Sequence, residues 1–449
     1  MSVKISIIGA GSAIFSLNLI KDICLTPTLQ DSIVSLMDIN EERLEAAYRL
    51  CIRYSEEVGI RLNIQKTTSR REALMGADFV INTALAADHE RLRKGWAIAR
   101  KNGYRFGGSL HIMHDEAFWI NFYQLRLMES ILIDIMDVCP NAWYILVANP
   151  VMAGVTYLKR KYKDAKIVGM CHGYGGVYGL AEVLGLERQH ITFEVPGVNH
   201  FVWLTSFNYK GEDAFPLIDK WIEEKAQEYW QKCGLSSGEG PKAFDLYKKF
   251  GVFPIGDTCT PGGGSWGYWY HTDDETQKKW KEDPEEWYNQ YFKYGLQQVE
   301  KIRKAAYDPS TKVTDLFPAK QSDEPMIPLI ESLACDVQRV VIVNIINEGE
   351  FVPGVPKDFE VEVPALVSRR GIQGIRTNGL PKPLMSYLIR DRIASVEMEL
   401  MAFENGDRNL LLNLILMDPW TKCEEQAIRL MEDILALPCH EEMREHYKL

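Results

Sequence analysis

A short apolar run, Val3–Ile8, closes directly on Gly9-Ala10-Gly11-Ser12 and is followed by a helix-like stretch, Ile14–Cys24. Few features constrain a fold more. A buried parallel strand must pass the chain to a helix that packs back on its own sheet. Glycine lets the backbone turn tightly there and leaves amides facing an anion at the helix start. The alternation then repeats. Ile33–Met37 is strand-like and ends at Asp38, and Glu41–Val58 is an amphipathic helix. Ala77–Thr83, Ala142–Asn149 and Ile167–Met170 are further strand-like runs, with a helical stretch over Phe118–Asp137. Strands alternating with helices predict an α/β chain built on a Rossmann-like, doubly wound parallel sheet. Ligands of such sheets bind beyond the carboxyl ends of the strands, where Asn82, Asn149 and Cys171 fall.

After about residue 190 the pattern changes. Ile191–Val195 and Phe201–Tyr209 read as antiparallel strands, and Gly234–Gly240 as a loop. Val340–Ile346 and Phe359–Val363 bracket a turn-rich segment, and from Pro381 the chain is mostly helical. The expected organisation is a dinucleotide-binding domain over 1–190 and a mixed α/β domain over 191–449 for substrate, catalysis and oligomerisation. A net charge of −11 argues against a nucleic-acid surface. No apolar run is long enough to span a bilayer, and the first residues lack a basic start and cleavage site, so neither a membrane anchor nor export is expected. Nine scattered cysteines without a C-x-x-C read as reduced thiols in a cytoplasm. The aromatic clusters at 266–270 and 287–292 suit a sugar site or plain core packing.

Two groups of residues carry chemistry. Gly9 and Gly11, with Ser12, can cradle a pyrophosphate, although Ile14 stands where the fingerprint has its third small residue. Asp38 can accept from both ribose hydroxyls and repel a 2′-phosphate, which favours NAD over NADP. Its other reading is a cap on the next helix, a role open to Asn40 as well. The second group is M-C-H-G-Y-G-G at 170–176 with G-V-N-H at 197–200. Cys171 and His200 offer one thiolate and one imidazole, a pair suited to a divalent transition metal. Each also has a bland reading, as a small buried hydrophobe and an ordinary histidine. A nicotinamide cofactor and a metal in one chain point to chemistry at a carbon bearing a hydroxyl.

With these residues assembled, the chain resembles glycoside hydrolase family 4, the NAD- and manganese-dependent glycosidases. The resemblance covers nearly the whole chain: G-A-G-S at 9–12, D-I-N at 38–40, A-D-F-V-I-N-T at 77–83, A-N-P at 148–150, C-H-G at 171–173, G-V-N-H at 197–200, P-I-G-D-T at 254–258, and N-E-G, P-G-V-P and V-E-V-P within 347–364. Neutral-sugar members carry an acidic residue after C-H. The C-H-G form resembles the branch acting on α-linked hexuronic acids, the α-glucuronidases and α-galacturonidases.

The resemblance implies a lactate/malate-dehydrogenase-like fold, a homodimer or homotetramer, and an unusual hydrolysis. NAD takes hydride from C3, a base removes the C2 proton, the aglycone leaves C1 with help from an acid, water adds, and the hydride returns. Mn²⁺ or another divalent ion on Cys171 and His200 would chelate the C2 and C3 oxygens. Gly9, Gly11, Ser12, Asp38 and Asn82 are the expected cofactor residues. Asn149 binds sugar hydroxyls or serves the turn before Pro150. Asn199 binds sugar or positions His200, and His172 contacts substrate or supports its neighbour. Asp257 matches the family's G-D position and is the candidate C2 base, with an Asx-turn as its other reading. Thr258 stands where an Arg is often found, and Tyr268 is a second candidate base. For the acid, H-I-M-H-D-E-A-F-W at 111–119 offers Asp115, then His114. Gly173 leaves room for a substrate carboxylate, to which the Gly175–Gly176 amides and Arg105 could bind. The competing readings are a net dehydrogenase of the lactate/malate type, a neutral-sugar α-glycosidase of the same family, and a non-catalytic NAD- or sugar-binding protein.

Overall fold

The structure, a computed structural model, describes residues 2–234, 238–261 and 266–448. The middle of the expected loop at 234–240 lies outside the described residues. Six strands run parallel: Lys4–Ile8 (β1), Ile33–Met37 (β2), Asn63–Thr67 (β3), Phe79–Asn82 (β4), Trp143–Leu146 (β5) and Ile167–Gly169 (β6). Their order is β3-β2-β1-β4-β5-β6. The chain reverses direction across the sheet between β1 and β4, which opens a crevice at their carboxyl ends. Sequence periodicity anticipates five of these strands and misses β3. That strand is N-I-Q-K-T at the sheet edge and buries one residue, Ile64, so it shows no continuous apolar run. The central strands are buried on both faces. In β1, Ile5 and Ile7 join one core, with Leu17, Ile20 and Leu329, whereas Ile8 joins the other, with Phe122, Met128 and Leu146.

The second half of the chain extends the same sheet. Its strands are Ile191–Glu194 (β7), Gly197–Val198 (β8), Phe201–Leu204 (β9), Ser206–Tyr209 (β10), Glu212–Asp213 (β11), Phe253–Ile255 (β12), Arg339–Ile346 (β13), Glu360–Ser368 (β14) and Gly371–Gly374 (β15). β13 joins β6 antiparallel at Asn344–Gly169, and the order continues β13-β14-β8-β9-β12, making a twelve-stranded mixed sheet that crosses residue 190. The single strand expected over Phe201–Tyr209 is instead two strands in two sheets. Phe201–Leu204 is fully buried in the large sheet, while Ser206–Tyr209 pairs with β7 and β11. The change comes at Thr205, whose N–H donates to the Glu194 carbonyl at 2.9 Å. From Lys382 onward the described chain is helical, as expected. Among the described residues no helix is long and apolar enough to cross a membrane.

Candidate active site

The first turn is built around two close approaches. Gly9 has φ +90°, and a Cβ there would lie 2.6 Å from the Ala84 backbone. A Cβ on Gly11 would lie 2.6 Å from Asp38 Oδ2, the oxygen that accepts the Gly11 N–H at 2.8 Å. Asp38 Oδ1 accepts from Asn40 N at 2.8 Å, and Asn40 itself caps the helix Glu41–Glu57 through Arg43 N. The cap therefore belongs to Asn40, and Asp38 is turned toward the glycine turn. Ser12 is exposed at the start of the helix Ala13–Cys24 and makes no side-chain cap. That leaves the first-turn amides available to a phosphate. Asn82 departs from its expected role. It is fully buried, donates to Tyr144 Oη at 2.9 Å and accepts from Ala84 N at 3.0 Å. It braces the loop that crosses Gly9 and has no open face for a cofactor.

Beyond β6, Cys171, His200 and Asp257 converge. One donor atom from each lies within 4.8 Å of the others. His200 ends a two-residue turn between β8 and β9 with φ +60°, a left-handed conformation uncommon outside glycine. Asn199, before it, is buried and locked from behind: its N–H donates to Glu360 Oε2 and its amide to Glu362 Oε2, both at 3.1 Å. Of the two roles expected for Asn199, positioning His200 fits these bonds. Asp257 Oδ2 lies 3.5 Å from His200 Nε2, while Oδ1 accepts from the Thr260 hydroxyl at 2.7 Å. Thr258 explains itself: its buried hydroxyl accepts from Val202 N and donates to Val202 O, both at 2.8 Å, stitching the Asp257 turn to β9.

The donor set suits a transition metal. A thiolate, an imidazole and a carboxylate are a soft, a borderline and a hard donor, a mixed set that suits a divalent transition metal, and three protein ligands leave open positions. Glu116, which sequence reasoning missed, lies 3.1 Å from His200 Nδ1 and so leaves Nε2 facing Cys171 and Asp257. Burial would depress the His200 imidazole, but the neighbouring Cys171, Glu116 and Asp257 groups outweigh that and raise it well above its ordinary value. Burial, with Glu362 beside it, pushes the Cys171 thiol up. Burial also pushes Glu362 up to about 7. The buried pair Glu360 and Glu362 was legible only as an alternating E-V-E-V, a pattern that normally marks a solvated strand face. Here the Asn199–His200 turn lies against that face.

The acid candidates separate. Asp115 Oδ2 accepts from Asn149 Nδ2 at 3.4 Å, and burial, reinforced by the Glu116 charge, pushes Asp115 up to about 7. His114 is buried, and burial, with Arg392 and Lys242 adding to it, pushes it down to about 3, so it stays neutral. Tyr268 is 39% exposed among Trp269 and Trp420. Arg105 is held by the exposed Asp274 at 2.7 Å, so it does not complete a carboxylate site. The Gly175 and Gly176 amides are also engaged, with the His172 and Gly173 carbonyls, and are not offered to an anion. His172 is exposed, 3.9 Å from Glu324, on the wall of a cavity of about 460 Å³ that also reaches Gly173 and Asp257.

Comparison with known proteins agrees with this geometry. An α-galacturonidase of Lachnoclostridium phytofermentans is 26% identical across 96% of this chain and 95% of its own. An α-glucosidase of Erwinia rhapontici is also 26% identical, across 93% and 94%. A 6-phospho-α-glucosidase from gut microorganisms, solved with NAD and Mn²⁺, superposes with a TM-score of 0.78 at 18% identity, over 97% of this chain and 98% of that one. A malate dehydrogenase of Cryptosporidium parvum shares the fold more distantly, with a TM-score of 0.52 at 16% identity, over 90% and 99%. The patterns of the family 4 glycosyl hydrolases match residues 4–186, and those of the family 4 glycosyl hydrolase C-terminal domain match residues 195–421. The chain belongs to glycoside hydrolase family 4.

Proposed function

We propose that this protein hydrolyses α-linked hexuronides, as an α-glucuronidase or α-galacturonidase, using NAD and Mn²⁺ or another divalent transition metal. When bound, NAD supplies a hydride acceptor and donor at the sugar C3, and the metal supplies a Lewis acid for the C2 and C3 oxygens. Gly9, Gly11 and Ser12 receive the pyrophosphate, and Asp38 the ribose. Cys171, His200 and Asp257 surround the ion. Asp257 is also the candidate base for the C2 proton, one oxygen held by Thr260 and the other turned toward His200. Asp115, half protonated near neutrality, gives its proton to the departing oxygen. Asn149 orients that carboxyl and offers its amide to sugar hydroxyls.

The uronide reading is carried by one observation. A Cβ on Gly173 would sit 3.4 Å from Cys171 Sγ. An acidic side chain there would oppose a substrate carboxylate beside the ion; glycine removes that charge and leaves the space open. The α-galacturonidase relative supports the reading, while the equally similar α-glucosidase makes neutral glycons the comparison to beat. The test is kcat/KM on p-nitrophenyl α-glucuronide, α-galacturonide, α-glucoside and α-galactoside with NAD, Mn²⁺ and reductant. Preference for a uronide is expected, and depressed uronide turnover in Gly173→Glu. Equal or better turnover of the neutral glycosides would overturn the substrate but not the family chemistry. NADH accumulating with product would favour a net dehydrogenase.

Nine unpaired cysteines support a cytoplasmic setting. Val340 and Leu366, opposite one another on β13 and β14 and 62% and 38% exposed, support a homodimer or homotetramer. Sedimentation velocity on the parent and on Val340→Glu checks it, a monomeric parent contradicting it.

A further inference from the structure

The cavity of about 460 Å³ shares Asp257 with the trio and includes Gly173, two residues after Cys171, but its other walls come from elsewhere. Tyr174 and Tyr178 follow β6, Arg188 lies beyond the next helix, and Asp323 and Glu324 belong to a loop before the helix Met326–Cys335. None of Gly9, Gly11, Ser12, Asp115, Asn149 or Asn199 lines it. It is therefore distinct from the cofactor turn and from Asp115, Asn149 and Asn199, and adjoins the reacting centre at Asp257 and Gly173. Its volume falls within the range of small-molecule sites.

The charge pattern of the lining is specific. The Arg188 guanidinium lies over the Tyr178 ring at 3.7 Å and donates to Asp323 at 2.9 Å, so the lining's arginine is already shared with a carboxylate. Against that one paired cation stand the carboxyls of Asp257, Asp323 and Glu324. Carboxylate oxygens accept from hydroxyls, and tyrosine rings pack against the C–H face of a pyranose. A second carboxylate in this space would meet Glu324 and compete with Asp323 for Arg188.

We propose that this cavity receives the departing portion of the substrate, and that this portion is a neutral, polyhydroxylated sugar. The inference rests on the glycosidase reading of the site but not on the glycon's being a uronic acid. The test compares two disaccharides with the same α-linked glycon, one carrying xylose and the other galacturonic acid as the leaving sugar. The glycon is whichever the p-nitrophenyl panel shows to be turned over, so a failed uronide reading leaves this comparison intact. The parent enzyme should prefer the xylose disaccharide at least tenfold in kcat/KM. Asp323→Asn releases Arg188 and should bring the two substrates to within threefold. The ratio is internal to each variant, so a loss of folded enzyme does not alter it. A parent that favours the galacturonate leaving sugar or treats both alike, or an Asp323→Asn enzyme that keeps the parental preference, would overturn the proposal.

Discussion

Glu116 meets the metal trio through His200. Its carboxylate lies 3.1 Å from Nδ1, and a proton kept on that side would leave Nε2 as the ligand. Glu116→Ala should therefore weaken Mn²⁺ binding by about 10- to 100-fold, and Glu116→Gln, which keeps an acceptor, by less. Titration of the Mn²⁺ EPR signal reads both, and equal affinity in Ala and parent would remove Glu116 from the site. Asp115 makes a pH prediction. Its carboxyl is raised from 3.8 to about 7, so activity on sugar leaving groups should fall as pH rises through about 7. Asp115→Asn should abolish that limb while sparing p-nitrophenyl substrates, whose leaving group needs little protonation. Stability moves the same way. The folded state binds this proton more tightly than the unfolded chain, so the parent loses stability as pH rises from about 4 to 7. Asp115→Asn should be relatively most stable above about 7, and denaturant melts at pH 4 and 8 check the sign. Cys171, His200 and Asp257 were legible because their neighbours form recognisable strings. Glu116, Glu360 and Glu362 were not, because their burial depends on partners far away in sequence.

Two connections decide whether the site's elements meet. Thr258 holds the Asp257 turn to β9 with both hydrogen-bonding functions of its hydroxyl. Thr258→Val keeps the shape but leaves a buried amide and carbonyl of Val202 without that partner. It should destabilise by about 1–3 kcal/mol in urea unfolding; a loss below ~0.5 kcal/mol would show the stitch to be dispensable. At the other turn, Gly11→Ala places a methyl 2.6 Å from Asp38 Oδ2. NAD affinity should drop sharply by calorimetry while the far-UV spectrum stays intact, and Asp38→Ala should cost about 1–3 kcal/mol of NAD binding. Unchanged affinity in both would leave the turn without its assigned ligand. The buried parallel strands were readable as apolar runs. The polar edge strand β3 was not, nor was the switch at Thr205, where one periodic run serves two sheets. Periodicity reports a face to be buried, not which neighbour buries it.

At the scale of the whole molecule, one twelve-stranded sheet brings together residues from both halves of the chain. Cys171 follows a parallel strand, His200 turns an antiparallel hairpin, and Asp257 follows β12 at the sheet's far edge. The alternation of the first half announced a parallel sheet, but nothing local in the second half disclosed that its strands would prolong that sheet. Metal dependence tests this convergence. Chelator, or Cys171→Ser with its harder ligand, should abolish turnover while leaving thermal unfolding of the fold near that of the chelated parent. Full activity in either would remove the ion from the mechanism. The most direct measurement of the central claim, that these residues serve oxidation at C3 and proton removal at C2 within a net hydrolysis, is the position of label in sugar released in heavy water. Deuterium at C2 of the product, with no net NADH formed, is the predicted result. A product with only hydrogen at C2 would contradict it.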